Sequence, residues 1–286
     1  MRMDRRNFMV AAGLTAAAAG LGMSRVGLGQ DNPSLRGRIK KAVVSGMVRE
    51  GKTLEEKFAV LKKAGFDGIE LSLKDGDPEA VRKAAEATGI IPHGVIHGWS
   101  LDGIPESLEY AKAVGATSVL VAPGQVSDDV YYDALYEKAL ATYREVAPLF
   151  EKAGIWMLVE NVWNNFLVSP LEAARFIDEV GNPKVGAYFD CGNVLRYGWS
   201  EHWIRALGAR IKKIHIKDYS RQKMENEGLW KGFDIPIGEG SANWAAIRKE
   251  LADIQFEGWA TAEVDGGGLD HLKDVAGRMD QVLGLA

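Results

Sequence analysis

The chain has little of what would indicate a disulfide framework or a membrane protein. Its 286 residues include a single cysteine, Cys191, which excludes an internal disulfide, so a hydrophobic core must supply the stability. After residue 29 no apolar run reaches the roughly 18 residues needed to span a bilayer. The composition, 47% hydrophobic and 26% charged, is that of an ordinary globular protein. The length suits one domain of about 250 residues plus a leader.

Residues 1–29 differ from the rest of the chain and resemble an export signal. Arg5 and Arg6 are followed by Phe8 and then by an Ala-, Gly- and Leu-rich stretch over 10–23, which is the charge-then-apolar order of a leader. The paired arginines resemble a twin-arginine signal, which addresses folded cargo to the twin-arginine export machinery. A buried N-terminal helix is the alternative, although it would be weakly amphipathic and rich in glycine. We predict a signal peptide at 1–29, cleaved or retained as an anchor, a folded body at 30–286 and a periplasmic location.

The predicted body is acidic, which bears on its partners. The whole chain has a formal net charge of −4, and its first 29 residues contain four arginines and one aspartate, so removing them makes the body more acidic still. An acidic body is a poor ligand for polyanions, and we expect no nucleic-acid partner. No glycine-rich phosphate cradle stands out, which favours an unphosphorylated ligand. The sequence does not fix the oligomeric state, and a homo-oligomer is one possibility.

Short β-branched apolar runs alternate with amphipathic helical stretches from Ile39 onward, which is typical of a parallel sheet covered by helices. Eight such units, with no glycine-rich dinucleotide fingerprint after the first strand, favour a single-domain α/β (β/α)8 TIM barrel over a doubly wound open sheet. The predicted strands are 41–46, 68–73, 91–97, 118–122, 156–160, 185–190, 211–216 and 259–263. The predicted helices are 54–64, 78–88, 105–114, 129–153, 170–180, 201–207, 244–253 and 269–283. The longest predicted loop, 218–239, follows strand seven and is expected to cover the site.

Four consecutive predicted strands end in a residue that can bind a metal ion. These residues are Glu160, Asp190, His215 and Glu263. Active sites of such barrels lie at the C-terminal ends of the strands, so the four side chains are expected to meet there. Three carboxylates and one imidazole suit one divalent cation, Mn²⁺ above all, with Mg²⁺, Co²⁺ and Zn²⁺ as alternatives. The other interpretation is four independent strand-end residues, each paired with a lysine or a helix cap.

Short motifs at these strand ends carry a family resemblance. They are Val159-Glu160-Asn161, Phe189-Asp190, His215-Ile216-Lys217-Asp218, and Ile237-Gly238-Glu239-Gly240 followed by Trp244. Together and in this order they resemble the strand-end motifs of the xylose isomerase-like barrels, especially the ketose 3-epimerases and their sugar phosphate isomerase/epimerase relatives. The resemblance covers the body from about Ile39 to the end of the chain.

The resemblance implies a metal-dependent sugar isomerase or epimerase. A ketose would bind the cation through its carbonyl and neighbouring hydroxyl oxygens, so that the cation acts as a Lewis acid on the developing enediolate. Glu160 and Glu263 would face each other across the sugar, one removing the proton beside the carbonyl and the other returning a proton. Asp190 and His215 would be ligands alone. Asn193 stands where many relatives carry a histidine, and because an amide does not titrate, this departure weakens the inference of ordinary epimerase activity.

Further polar and aromatic residues near the strand ends are candidate substrate contacts. Arg221 matches the place of a substrate-binding arginine in the ketose epimerases, its alternative being a solvated loop charge. His97 is either a substrate contact or a structural histidine, and Glu70 and Lys217 are alternatively a structural pair. The tryptophans offer flat faces to a sugar ring or pack within loops. The predicted set is Glu70, His97, Trp99, Trp163, Asn193, Lys217 and Arg221.

Three other functions compete with the isomerase or epimerase. A lyase or dehydratase acting on a keto-sugar or keto-inositol would use the same metal and the same proton abstraction, and would then expel a leaving group. An abasic-site endonuclease with three zinc ions shares the barrel, but it needs more histidines than the five present and a less acidic body. An exported sugar-binding protein is the third, and the intact pair of Glu160 and Glu263 counts against it because binding alone needs no acid and base.

Overall fold

The computed structural model describes residues 33–286, so the predicted signal peptide lies outside the described residues. Within this range eight parallel strands, each paired with the next and β8 with β1, form a closed barrel. The closing pairs include Lys41 with Ala260 and Ala42 with Thr261. The predicted (β/α)8 TIM barrel is therefore confirmed. The strands are β1 (39–44), β2 (68–72), β3 (91–98), β4 (118–121), β5 (156–160), β6 (185–190), β7 (211–216) and β8 (258–262).

Helices between the strands cover the outside of the barrel. Each of the first five helices ends at a glycine with left-handed backbone, as at Gly65 (φ 93°), which the missing Cβ makes easy to adopt. At the other end of α1, Thr53 and Glu56 form a reciprocal capping box, which satisfies two backbone donors that the first turn leaves free. The helices are α1 (54–64), α2 (78–88), α3 (104–114), α4 (132–153), α5 (170–180), α6 (200–207), α7 (221–227), α8 (244–253) and α9 (269–283).

The hydrophobic core lies between the strands and the surrounding helices. Large side chains such as Phe58, Phe150 and Phe176 are fully buried there, and the Tyr143 hydroxyl donates to the carbonyl of Val121 at 3.0 Å. None of the helices within 33–286 combines the length and apolar character required to cross a bilayer.

The segment after β7 differs from the predicted loop. It contains α7 and a 3-10 turn over 229–233, and the hydroxyl of Ser220 caps α7 by accepting from the backbone of Lys223. α7 has no buried residue, so it leaves no apolar periodicity in the sequence from which it could be predicted. Strand β1 also ends two residues earlier than predicted, because 45–47 turn into a 3-10 helix.

One buried carboxylate, that of Asp218, organises the chain beyond this segment. It accepts hydrogen bonds from the backbone of Gly238, Gly240 and Ala242, and from Nε1 of Trp244 at 3.0 Å. A Cβ atom at Gly240 would collide with this carboxylate, which explains glycine at that position. Asp218 thereby fixes the path of the chain from the top of β7 to the start of α8.

Candidate metal centre

The structure brings the four predicted metal ligands together at the C-terminal mouth of the barrel. Glu160, Asp190 and His215 lie on β5, β6 and β7, and Glu263 follows β8 directly. One ligand atom from each lies within 4.8 Å of the other three. His215 Nδ1 is 2.8 Å from Glu160 Oε1, 3.4 Å from Glu263 Oε2 and 3.8 Å from Asp190 Oδ2. The cluster could therefore hold one metal ion.

The orientation of Asp190 fits a cation at the cluster. Its Oδ1 accepts from the backbone N–H groups of Gly192 at 2.8 Å and Asn193 at 2.7 Å. Its Oδ2 is buried and lies on the side of the cluster, where the Lys217 ammonium is 2.9 Å away. A cation bound at the cluster would give this buried oxygen a second partner of opposite charge.

The charges of the cluster also fit a divalent ion. Besides Asp190, Lys217 Nζ contacts Glu263 Oε2 at 2.6 Å. When all three carboxylates are ionised and His215 is neutral, the negative charges outnumber the Lys217 ammonium by two. A divalent cation would balance this excess, and three carboxylates with one imidazole are ligands that Mn²⁺ or Mg²⁺ accepts.

The two glutamates have different proton affinities in the absence of a metal ion. Burial raises the pKa of Glu160 to about 7, against the opposing effect of His215. Burial acts in the same direction on Glu263, but the Lys217 ammonium outweighs it and lowers the pKa of Glu263 to about 2. Burial would lower the pKa of His215, and the carboxylates of Glu263 and Glu160 reverse this and raise it well above its usual value. Near neutral pH, protons therefore lie on the Glu160 and His215 side of the cluster.

Glu70 fixes the orientation of His215 from below. The His215 Nε2–H group donates to Glu70 Oε2 at 2.8 Å, and the Tyr188 hydroxyl donates to the same oxygen at 3.0 Å. Because a carboxylate only accepts, the proton of a neutral His215 lies on Nε2, and the lone pair of Nδ1 faces the carboxylates. The Tyr188 hydroxyl also contacts Thr261 Oγ1, which contacts His93 Nε2. A hydrogen-bonded chain thus runs from the cluster into the barrel.

A cavity of about 440 Å³ opens above the cluster. Its volume falls within the range of about 300–1,000 Å³ that is usual for small-molecule sites. Glu160, His215 and Glu263 line its floor. Both aromatic and polar side chains line its walls. These wall residues include Trp99, Trp163, Asn193, Lys217, Trp230, Phe233, Asp234 and Asp265.

Comparison with known proteins identifies the family. The sequence profile of the xylose isomerase-like TIM barrel family matches residues 58–281. The chain belongs to this family. A comparison of the chain with curated proteins found no match.

Solved structures share the fold of this xylose isomerase-like barrel at low sequence identity. An L-ribulose 3-epimerase is 16% identical with a TM-score of 0.72, over 86% of this chain and 95% of that one. The 3-keto-D-glucoside 4-epimerase from E. coli is 18% identical with a TM-score of 0.69, over 85% and 98%. The probable 3-DHS dehydratase from Bacillus anthracis is 16% identical with a TM-score of 0.67, over 82% and 97%. At these identities the likeness shows the fold alone.

Four of the predicted substrate contacts line the cavity, and the structure gives each a defined setting. Trp99 is 45% exposed, whereas Trp163 Nε1 donates to the carbonyl of Asn193 at 2.8 Å. The Asn193 amide donates to the carbonyl of Asn161 at 2.9 Å. Lys217 pairs with Glu263 and Asp190, so the alternative in which it pairs with Glu70 is wrong.

The other three predicted contacts do not line the cavity. Glu70 is fully buried beneath His215. The ring of His97 is hydrogen-bonded at Nδ1 to Ser107 Oγ (2.6 Å) and at Nε2 to the carbonyl of Ser100 (3.1 Å). These contacts favour the alternative in which His97 is a structural histidine. Arg221 donates to the backbone carbonyls of Leu195 and Gly198, so it is neither a free loop charge nor directed at the cavity. Hydrogen bonds within the protein therefore account for all three side chains.

Several site residues were not predicted from the sequence. Tyr188 and Thr261 lie on the inner face of the barrel. The Tyr188 hydroxyl contacts both Glu70 and Thr261. The alternation of side chains along a strand could have indicated that both residues point inward. Trp230 and Phe233 lie in the turn after α7, where no periodic pattern marks them. Asn161 exchanges two hydrogen bonds with the backbone of Asp190, both at 2.9 Å, and its position directly after Glu160 was a usable signal.

Proposed function

We propose that the protein is a divalent-metal-dependent isomerase or epimerase that acts on a keto-sugar. The observation that carries this proposal is the pair of glutamates at the cavity floor. Glu160 and Glu263 come from β5 and from the end of β8, which are not neighbours in the barrel, so their carboxylates reach a bound sugar from different directions. Two carboxylates with unlike proton affinities are suited to removing a proton from one position and returning it at another.

Each residue of the cluster would have a defined task. Glu160, Asp190, His215 and Glu263 would hold the cation, for which we propose Mn²⁺, with Mg²⁺, Co²⁺ or Zn²⁺ as alternatives. When bound, a divalent cation supplies Lewis-acid polarisation of carbonyl and hydroxyl oxygens. Glu160 and Glu263 would face the sugar from different sides, one taking the proton from the carbon beside the carbonyl and the other returning a proton. Lys217, which lies beside Glu263, would hold a substrate oxygen.

The structural relatives support this class of reaction. By their names, two of them are sugar epimerases, one acting on L-ribulose and one on a 3-keto-D-glucoside. Both reactions change the configuration at one carbon of a sugar. The substrate we propose for the present chain is an unphosphorylated carbohydrate with a carbonyl group, and the sequence features of residues 1–29 further suggest one that is met outside the cytoplasm.

A lyase or dehydratase is the second candidate, and the position of Lys217 favours it. Its Nζ lies 2.6 Å from Glu263 and lines the cavity, where an ammonium would stabilise the negative charge of a departing oxygen. The dehydratase among the structural relatives agrees with this alternative. Proton removal by one of the two glutamates is common to both candidates, and only the fate of the neighbouring oxygen separates them.

The test combines metal analysis with a proton-exchange assay. Purified protein is analysed for bound metal by mass spectrometry, and ketoses and keto-glycosides are incubated with it in D₂O and followed by NMR. We expect about one ion per chain and deuterium at the carbon beside the carbonyl, lost in Glu160→Gln and Glu263→Gln but kept in the control Glu239→Gln, which alters an exposed surface ion pair. An epimer or isomer as product supports the first candidate, and an unsaturated product supports the lyase. Absence of metal, or exchange indifferent to both substitutions, would refute the proposal.

We also propose that the protein is exported to the periplasm by the twin-arginine machinery. The support is the order of charged and apolar residues in 1–29. Cell fractionation and N-terminal sequencing of the mature protein test it, beside a variant in which Arg5 and Arg6 are replaced by lysine. Recovery of the wild type solely from the cytoplasm with residues 1–29 intact would contradict the export.

A further inference from the structure

An aromatic wall rises from one side of the cavity. It consists of Trp163, Trp230 and Phe233. The ring centroids of Trp163 and Trp230 are 4.8 Å apart with the planes tilted by 44°, and those of Trp163 and Phe233 are 5.0 Å apart with a tilt of 36°. Trp230 is 68% exposed, so a large aromatic face remains in contact with solvent at the mouth of the site.

The aromatic wall is held in place by contacts behind it. Tyr219 is fully buried and packs its ring edge-on against Trp163 at 5.7 Å and Phe233 at 4.8 Å. The Tyr219 hydroxyl donates to the carbonyl of Leu229 at 2.8 Å, and Trp163 is fixed by its bond to Asn193. A supported aromatic surface loses little conformational entropy when a ligand binds to it. The exposed face of Trp230 adds little to the core, which makes a binding role the better explanation.

The aromatic wall and the metal centre share one cavity. Lys217 Nζ lies 5.3 Å from the centre of the Phe233 ring and 2.6 Å from Glu263 Oε2. A sugar ring resting on the floor residues would therefore have the aromatic wall directly beside it. Asp234 and Asp265 line the same cavity, and their carboxylates are acceptors for hydroxyl groups at the edge of a second ring.

We propose that the aromatic wall is a subsite for a second ring of the substrate, so that the protein acts on a keto-glycoside rather than on a free ketose. The keto-sugar ring lies over the floor, and the ring linked to it stacks on Trp230 and Phe233. A pyranose offers an axial C–H face and an aryl group offers a flat ring, and both share the apolar face that an aromatic wall binds. The claim that a keto-glycoside is turned over rests on the proposed function. The claim that the aromatic wall binds a second ring does not.

The binding experiment uses unreactive ligands, so that it stands apart from the proposed activity. Isothermal titration compares D-glucose, phenyl β-D-glucopyranoside and cellobiose on the metal-loaded wild type, Trp230→Ala, Trp230→Phe and Trp199→Ala. Trp199 is a matched control, because it is 51% exposed and lies outside the cavity. We expect the two-ring ligands to bind about five- to tenfold more weakly to Trp230→Ala, with most of the affinity restored in Trp230→Phe and none lost in Trp199→Ala. A larger loss of affinity for cellobiose in Trp230→Ala indicates a subsite for a pyranose. A larger loss for phenyl β-D-glucopyranoside indicates a subsite for an aryl group.

The outcomes separate the subsite from the chemistry. Equal binding of the two-ring ligands to the wild type and Trp230→Ala, or binding no tighter than that of D-glucose, would overturn the subsite even if the protein is an active epimerase. A selective loss in Trp230→Ala supports it even if no turnover is found. Where turnover is found, Trp230→Ala should raise KM for a keto-glycoside by a larger factor than KM for the corresponding free keto-sugar, and an equal rise for both would speak against a second-ring subsite.

Discussion

Replacing Glu70 with glutamine should weaken metal binding without unfolding the protein. The glutamine carbonyl keeps an acceptor for the His215 Nε2–H, which donates to Glu70 Oε2 at 2.8 Å, but the negative charge is lost. Both side chains are fully buried, so little solvent screens that charge, and the imidazole becomes a poorer ligand when its carboxylate partner is neutral. Loss of such a partner lowers metal affinity about 10- to 100-fold, or about 1.4–2.7 kcal/mol.

The assay is a titration of metal-free protein with Mn²⁺, followed by calorimetry or by the electron paramagnetic resonance of the free ion. Ser118→Ala is the matched control, because the Ser118 hydroxyl is also buried inside the barrel and has no hydrogen-bond partner among residues 33–286. Tyr188→Phe removes only the second donor to Glu70 and should have a smaller effect. Circular dichroism verifies folding of every variant. An affinity of folded Glu70→Gln within twofold of the wild type would refute the reasoning.

Three further predictions concern the same centre and its supports. Because burial raises the pKa of Glu160 to about 7 and His215, whose pKa is also raised, must lose its proton too, the affinity for Mn²⁺ should fall at least about tenfold per pH unit below pH 7; a titration series showing no pH dependence would contradict this. Mn²⁺ at about 100 times its Kd should add about 2.7 kcal/mol to the unfolding free energy and about 5–10 °C to Tm, and an unchanged Tm after chelation would count against the site. Asp218→Asn should cost about 3 kcal/mol in urea unfolding, since an amide cannot accept all the bonds that Asp218 accepts; a loss below about 1 kcal/mol would disprove its anchoring role.

The barrel could be predicted because its sequence repeats one signal. Each strand is a short apolar run and most helices have an apolar face, and several helices end at a left-handed backbone position that favours glycine, such as Gly65. The four metal ligands could be predicted for a related reason, since a strand end in a barrel has a fixed position at the mouth. These features depend on local pattern and on a regular architecture.

The rest of the site depends on contacts between distant parts of the chain. The facing of Glu70 follows from strand alternation, but its depth does not, and only the fold places it under His215. Lys217 has carboxylates on both sides, and the sequence cannot rank Glu263 and Asp190 above Glu70 as its partners. Arg221 and His97 each bind nearby backbone carbonyls, which no motif records. Polar α7 and the turn after it carry no periodic pattern, so the aromatic side chain of Trp230 was missed.

The anchoring of the chain by Asp218 affects how such a barrel can change its substrate preference during evolution. Trp230 lies in a surface turn between β7 and α8, and the carboxylate of Asp218 secures the chain that follows this turn. Exchanges within 229–234 can therefore remodel what the cavity accepts while the cation ligands stay in place. A mutant library confined to that turn, with Gly232 left unchanged because it has no room for a Cβ atom, would sample new specificities on an unchanged chemistry.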